Sequence, residues 1–215
     1  MSCDFRFFIL SVYLLLSGCQ SAYYATMEKV GVHKRDILVS RVESANKSQK
    51  QAQQQLKSTL GQLSAMIDFD GGDLLAQYEA MQQQYEQSAE IAEEVSARIN
   101  AIENVAGALF EEWQDESEQF TNVKLKRQSQ QKLRETASRY KTLIRSMHKA
   151  EDRMQPVLAA LKDNTLYLKH NLNAKAIGAL QGEYKSIKHD IEKLVVEMNS
   201  AITQSQKFIN ALEVS

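Results

Sequence analysis

The chain has 215 residues but only 8 glycines and 1 proline, a composition that favours long helices and leaves few positions for loops. Its 26 basic and 27 acidic residues give a net charge of −1 and alternate along the chain, so a broad basic surface for nucleic acid is not expected. Both cysteines, Cys3 and Cys19, lie near the N-terminus, which excludes a disulfide framework in the remainder of the chain.

An apolar segment covers residues 5–16 and is followed by Ser17, Gly18 and Cys19. Its roughly ten apolar residues make a helix of about 15 Å, half of the ~30 Å hydrocarbon thickness of a bilayer, so it is too short to span a membrane. Such a length is typical of the apolar region of a secretory signal. The alternative is a buried N-terminal helix of a cytosolic protein.

The residues that end this segment indicate a particular kind of signal. The sequence Leu16-Ser17-Gly18-Cys19 resembles the lipobox of bacterial lipoproteins, in which small residues precede a cysteine. The resemblance implies that residues 1–18 are a lipoprotein signal peptide that is removed. It also implies that Cys19 is acylated with fatty acids such as palmitate, and two or more acyl chains hold a protein firmly on a membrane.

Two further positions bear on this interpretation. Asp4 beside Arg6 departs from the strongly basic start that is usual in such signals. Gln20 stands where aspartate commonly retains lipoproteins in the inner membrane of enteric-type bacteria. By this resemblance we expect the periplasmic face of the outer membrane, with the inner membrane as the alternative.

A short lipidated tether, residues 19–25, separates the acylated cysteine from the folded domain, residues 26–215. The start of that domain contains aromatic and basic residues that suit a lipid headgroup layer. The candidate membrane-proximal contacts are Tyr23, Tyr24, Lys29, His33, Lys34 and Arg35. The alternative is that these residues form only an irregular first turn of the bundle.

Four stretches of the domain have apolar residues at alternating steps of three and four, the pattern of packed helices. They cover residues 38–66, 74–113, 133–161 and 177–212. Additional apolar residues beside these positions widen the stripe, which suits a multi-helix bundle better than a two-stranded coiled coil.

The breaks between the stretches lie where turns are needed. They are Asp68-Phe-Asp-Gly-Gly-Asp73, Phe120-Thr-Asn122 and Asn171-Leu-Asn173. Asp73 and either Thr121 or Asn122 are candidate N-caps, and Pro156 should kink or interrupt the third helix. The sequence therefore predicts an all-α fold: an elongated, coiled-coil-like antiparallel bundle of four heptad-patterned helices, each about 40 residues or ~60 Å long.

No pattern in the sequence indicates catalysis, a cofactor or a metal. The aspartates from Asp68 to Asp73 lack the glycine and glutamate positions of a calcium-binding loop. There is no phosphate-binding loop and no nucleophile elbow. The histidines are expected to be ordinary surface or boundary residues: His33, His148, His170 and His189. We therefore expect a protein that is not an enzyme.

The segment from Leu166 to Ile177 mixes apolar, amide and basic groups around a helix break. It is either a partner-binding corner or simply a well-capped turn. The candidate corner residues are Lys169, His170, Asn171 and Asn173.

Four segments together resemble a family of gammaproteobacterial lipoproteins that is defined only as a domain of unknown function. They are residues 23–36, 68–73, 108–113 and 166–177. The resemblance covers nearly all of the mature chain, and it implies a location in the Gram-negative cell envelope but no activity.

These observations favour an envelope lipoprotein with a structural or interaction role, as a scaffold or adaptor. Its expected partners are a membrane, through the N-terminal lipid, and either an envelope protein or a second copy of the chain. One alternative is a carrier that holds a lipid or other small ligand between the helices. A less favoured alternative is a hydrolase, which would need histidines and carboxylates to converge in space.

Overall fold

The computed structural model describes residues 33–68, 71 and 73–213, and they form four long α-helices. The helices are α1, Lys34–Ile67; α2, Leu74–Gln119; α3, Val123–His170; and α4, Ala174–Glu213. These residues contain no strand, so the predicted all-α fold is confirmed. The predicted signal peptide and tether, residues 1–25, lie outside the described part of the chain.

Each helix packs against the helix that follows it, and α4 returns to α1, which closes a ring around one core. The start of α1 meets the end of α2, where Lys34 Nζ lies 2.8 Å from Glu112 Oε1. The end of α1 meets the start of α4, where Gln181 Nε2 donates to the carbonyl of Ile67 at 3.1 Å. The bundle is therefore antiparallel, with short turns between successive helices, as predicted.

This arrangement gives the bundle two different ends. The proximal end contains the start of α1, the α2–α3 turn and the end of α4, and the distal end contains the α1–α2 and α3–α4 connections. The longest helix, α3, has 48 residues, which corresponds to about 72 Å. At the proximal end, α2 continues from Glu112 to Gln119, so the α2–α3 turn lies about 10 Å beyond the start of α1.

The predicted apolar positions form the core. Fully buried side chains from the four helices include Leu63, Ile99, Met147 and Leu194. Burial of a side chain of this size stabilises the fold by roughly 1.5–3 kcal/mol relative to leaving it exposed. Within the part of the chain that the structure describes, no helix combines the length and the hydropathy that crossing a bilayer requires.

Two of the predicted turns are closed by the predicted caps. The Asp73 side chain accepts hydrogen bonds from Leu75 N (2.9 Å) and Ala76 N (3.3 Å) at the start of α2. In the same turn Gly71 has a φ of 156°, which L-residues rarely adopt. At the start of α3, Asn122 and not Thr121 is the cap, and it accepts from Lys124 N at 3.0 Å.

Two expectations about helix length and continuity need correction. Helix α3 is not interrupted at Pro156, because Pro156 and Asp152 are both exposed, and a carbonyl freed on the exposed side of a helix can bond water; a kink at Pro156 stays a prediction. The helices are also unequal, from 34 residues in α1 to 48 in α3. The extra length of α2 and α3 is held by polar contacts that an apolar repeat does not reveal, such as Trp113 Nε1 to Ser129 Oγ at 3.0 Å.

Candidate functional site

Exposed large apolar side chains are concentrated at the two ends of the bundle. In the described residues, four lie at the distal end, three lie at the α2–α3 turn, and Val196 lies alone in the middle of α4. The distal group is Leu75, Leu166, Tyr167 and Leu172, and the proximal group is Phe120, Val123 and Leu125. A single exposed apolar residue is ordinary, but grouped ones mark contact surfaces.

The distal group forms what we call the distal surface, together with Lys169 and His170, which are exposed beside it. Helix geometry forces this exposure. Leu168 is fully buried in the core, so Leu166 and Tyr167, which are 200° and 100° around the helix from it, must face outward. The last turn of α3 thus exposes Leu166 and Tyr167, because the buried Leu168 fixes the rotation of the helix.

The two asparagines of the predicted partner corner have structural roles. Asn171 Nδ2 donates to the carbonyl of Tyr167 at 2.9 Å, at the end of α3. Asn173 Oδ1 accepts from Lys175 N at 3.0 Å, at the start of α4. The α3–α4 connection is therefore a well-capped turn, and the residues of the corner that remain available for contact are Lys169 and His170. A role for them in partner binding stays a prediction.

Only some of the predicted membrane-proximal contacts lie among the residues that the structure describes. Tyr23, Tyr24 and Lys29, like the lipidation candidate Cys19, lie outside the described residues. Lys34 is largely covered and its Nζ contacts Glu112, so it holds α1 on α2. Whether it also approaches lipid phosphates stays a prediction.

Arg35 lines a groove at the proximal end. The groove has a volume of about 460 Å³. It is lined by His33, Lys34, Arg35, Leu109, Glu112, Trp113, Glu116 and Leu212. Its lining therefore combines basic residues of α1, acidic residues of α2 and apolar side chains.

The cavity found between the helices is small. It lies at the level of Leu56, Ala92 and Leu194 and has a volume of about 10 Å³, which is room for roughly one water molecule. This cavity does not hold a lipid in the state that the structure shows.

His148 and Tyr140 are among the titratable groups whose pKa values are shifted by their surroundings. The carboxylate of Glu103, with Nε2 of His148 at 3.0 Å, raises the pKa of that histidine, and Glu151 at 2.8 Å adds to the effect. Burial raises the pKa of Tyr140 to about 12, and its ring lies 5.3 Å from that of Phe110. Both arrangements join helices, and neither lies beside the distal surface.

Metal ligands do not converge in the described part of the chain: no three His, Cys, Asp or Glu side chains are placed to hold an ion there.

Reasoning from the sequence alone did not identify Leu75, Phe120, Val123 or Leu125 as surface features. The stretch around Phe120 was interpreted only as a helix break. The signal that could have found them is an apolar residue that falls outside the three-four spacing and beside a turn. Such a residue cannot reach the core and must be exposed unless something else covers it.

The geometry thus defines a class of protein: a four-helix rod whose exposed large apolar side chains lie mostly at its two ends. A family model matches residues 23–212 and is described as "Protein of unknown function (DUF2959)". The chain therefore belongs to that family. Neither a curated protein nor a solved structure matches the chain.

Proposed function

We propose that this protein is a non-catalytic lipoprotein of the cell envelope, anchored through acylated Cys19 to the periplasmic face of the outer membrane. In this proposal the bundle acts as a spacer, and its distal surface binds an envelope protein or a second copy of the chain. The lipobox-like sequence supports the anchor, and the polar sides of the rod support an end-on mode of binding.

One observation carries the proposal: the chain enters the bundle at the proximal end. Lys34, the first residue of α1, contacts Glu112 near the end of α2. A lipid on Cys19 is therefore attached to that end, and the distal surface lies at the opposite end of helices about 70 Å long. The exposed leucines at the distal end of an anchored rod would therefore lie far from the bilayer, where they can contact an envelope protein or a second copy of the chain.

The anchor is tested with labelled palmitate in cells that express the intact chain. We expect label on the wild type and on Cys3→Ala, and none on Cys19→Ala. The Cys19→Ala chain should also leave the membrane fraction, whereas Cys3→Ala stays in it. Membrane association of Cys19→Ala that equals the wild type would contradict the anchor, and separation of the two membranes by density tests the outer-membrane address.

The distal surface is tested with a photo-crosslinking amino acid at single positions in intact cells. We expect discrete crosslinked species from Leu166 and Leu172. Val196 is the matched control, because it is apolar and 65% exposed but lies in the middle of α4. Equal crosslinking from Val196 would contradict an end-on contact.

The proximal groove supports a second candidate, a carrier of a small amphipathic ligand. Its volume of about 460 Å³ lies within the usual range of ligand pockets. Extraction of the purified protein followed by mass spectrometry tests this candidate. A stoichiometric small molecule that is lost on Trp113→Ala would favour the carrier, and an extract without one would favour the spacer.

A further inference from the structure

The α2–α3 turn at the proximal end exposes apolar and basic residues for which the proposed spacer function gives no reason. We call residues 120–127 the hairpin tip. It exposes Phe120 (42%), Val123 (62%) and Leu125 (48%). Lys124 and Arg127, between and beside them, are also exposed. Exposed apolar residues close to basic ones are typical of segments that contact a membrane interface, where apolar side chains insert and cations meet phosphates.

The hairpin tip is held in place by local contacts. Asn122 caps α3 through Lys124 N at 3.0 Å and Leu125 N at 3.2 Å. Lys126 Nζ lies 2.6 Å from Glu118 Oε2, which neutralises the nearest carboxylate of α2. The turn therefore keeps its apolar side chains pointing outward, and a contact with a partner requires little ordering of the tip.

Given the proposed anchor, the direction of the chain puts the hairpin tip at the end of the bundle that faces the bilayer. Cys19 precedes His33 by 14 residues, a stretch of at most about 50 Å when fully extended and about 20 Å as a random coil. The tip lies at the same end as the start of α1 and about 10 Å beyond it. With Cys19 in the membrane, the tip is the described part of the bundle that reaches furthest toward the lipid.

We infer that the hairpin tip is a second membrane contact, in which Phe120, Val123 and Leu125 enter the boundary between headgroups and acyl chains. Lys124 and Arg127 then lie at the level of the phosphates. This inference rests on the proposed anchor for its orientation. The contact is intrinsically weak, but the lipid on Cys19 keeps the tip at a high effective concentration at the surface, so a weak contact is enough to set the tilt of the rod.

The test uses the chain from residue 19 onward with Cys19→Ser, so that binding by the tip is measured without the acyl anchor. This chain keeps every residue of the core that the structure describes. It also has no cysteine, so a single fluorophore that is sensitive to polarity can be attached at Thr121→Cys or, as the distal control, at Lys169→Cys. The probe is vesicles of phosphatidylethanolamine and phosphatidylglycerol at millimolar lipid.

We expect a blue shift and a saturable rise in emission from the label at Thr121→Cys, and no change at Lys169→Cys. Phe120→Ser, Val123→Ser and Leu125→Ser together should lower the vesicle partition coefficient at least tenfold. The matched control replaces the same kind of residue at the other end: Leu166→Ser, Tyr167→Ser and Leu172→Ser together should leave partitioning unchanged. Circular dichroism checks that both variants remain folded.

An equal response from the two labels, or equal partitioning of the two triple variants, would overturn the inference. A blue shift without vesicles that grows with protein concentration would also overturn it, because a second copy would then cover the tip. Palmitate labelling of Cys19 separates the two proposals. If Cys19 takes up palmitate but the tip does not bind vesicles, the proposed anchor stands and only the second membrane contact is refuted. If the tip binds vesicles but Cys19 takes up no palmitate, only the membrane contact of the tip is supported.

Discussion

Gln49 lies in the centre of the bundle and is fully buried. Neither Nε2 nor Oε1 of its side chain has a hydrogen-bond partner within the described part of the protein. A buried polar group without a partner costs about 1–3 kcal/mol. Such residues are retained in some bundles because they favour one helix register over others, at a cost in stability.

We expect Gln49→Leu to raise the free energy of unfolding by about 1–3 kcal/mol, because it removes the unpaired amide and fills a similar volume. Urea unfolding measures the change. Gln54→Leu, at an exposed position of the same helix, should change stability by less than about 0.5 kcal/mol. A loss of stability in Gln49→Leu would contradict this account and would mean that water satisfies the amide in solution.

His148 joins α3 to α2 through Glu103, and both carboxylates that contact it favour its charged form. Because the folded pKa is raised above the unfolded value, the stabilisation is fully present below about pH 6.5 and is lost as the pH rises through the folded pKa. His148→Gln should therefore cost more stability at pH 5.5 than at pH 8.5. The difference should stay within about 1 kcal/mol, because the pair is partly exposed to solvent.

The measurement is urea unfolding of both proteins at the two pH values. Gln128→Ala is the control, because Gln128 is an exposed residue of the same helix that does not titrate, and it should have the same small effect at both pH values. If His148→Gln had the same effect at both pH values, the charged form would not be what Glu103 stabilises.

At the scale of the helices, the apolar spacing was sufficient to predict the core. Positions such as Leu38, Leu143 and Ile187 were predicted to face inward, and they are buried. The pairing of one helix with another was not predictable, because it depends on how far each helix slides along its neighbour. The contacts of His148 with Glu103 and of Lys34 with Glu112 join residues 45 and 78 positions apart, and no periodicity within one helix encodes such pairs.

At the ends of the helices, too, only the features that depend on nearby residues could be predicted from the sequence. The cap Asp73 was predicted and the cap of α3 was narrowed to Thr121 or Asn122, because a capping side chain acts on the next turn of its own helix. The exposure of Leu75 and of the hairpin tip was not predicted, because an apolar residue outside the regular spacing can be covered by another part of the chain. The segment from Leu166 to Ile177, by contrast, was predicted as a candidate partner-binding corner. Only the three-dimensional arrangement shows that Leu125 and Leu172 remain exposed.

Substitution of Pro156 tests how much a proline inside α3 lowers the free energy of unfolding. Replacement of Pro156 by alanine restores the missing backbone hydrogen bond to the carbonyl of Asp152 and relieves the low helix propensity of proline. We expect Pro156→Ala to raise the free energy of unfolding by about 1–3 kcal/mol, measured by urea unfolding. Gln155→Ala, at an exposed neighbouring position, should have little effect, and a destabilised Pro156→Ala would mean that α3 depends on a distortion at this residue.

At the scale of the whole molecule, the spacer proposal depends on shape. A rod of about 72 Å with a radius of about 12 Å has a radius of gyration of about 22 Å. A compact domain with the same number of residues would have a radius of gyration of about 16 Å. The difference matters for function, because only an elongated bundle carries the distal surface away from a bilayer that holds its proximal end.

Small-angle X-ray scattering of the chain from residue 19 onward with Cys19→Ser should therefore give a radius of gyration near 22 Å at low protein concentration. Replacement of Leu166, Tyr167 and Leu172 by serine should leave this value unchanged, because these side chains are outside the core. A different result is possible as the protein concentration rises: the particle measured for the chain with an intact distal surface could approach twice the length of the rod, while the serine variant stays one rod long. The distal surface would then bind a second copy, and the spacer would join two membrane-anchored molecules end to end. A value near 16 Å would contradict the rod itself, and with it any role that depends on reach.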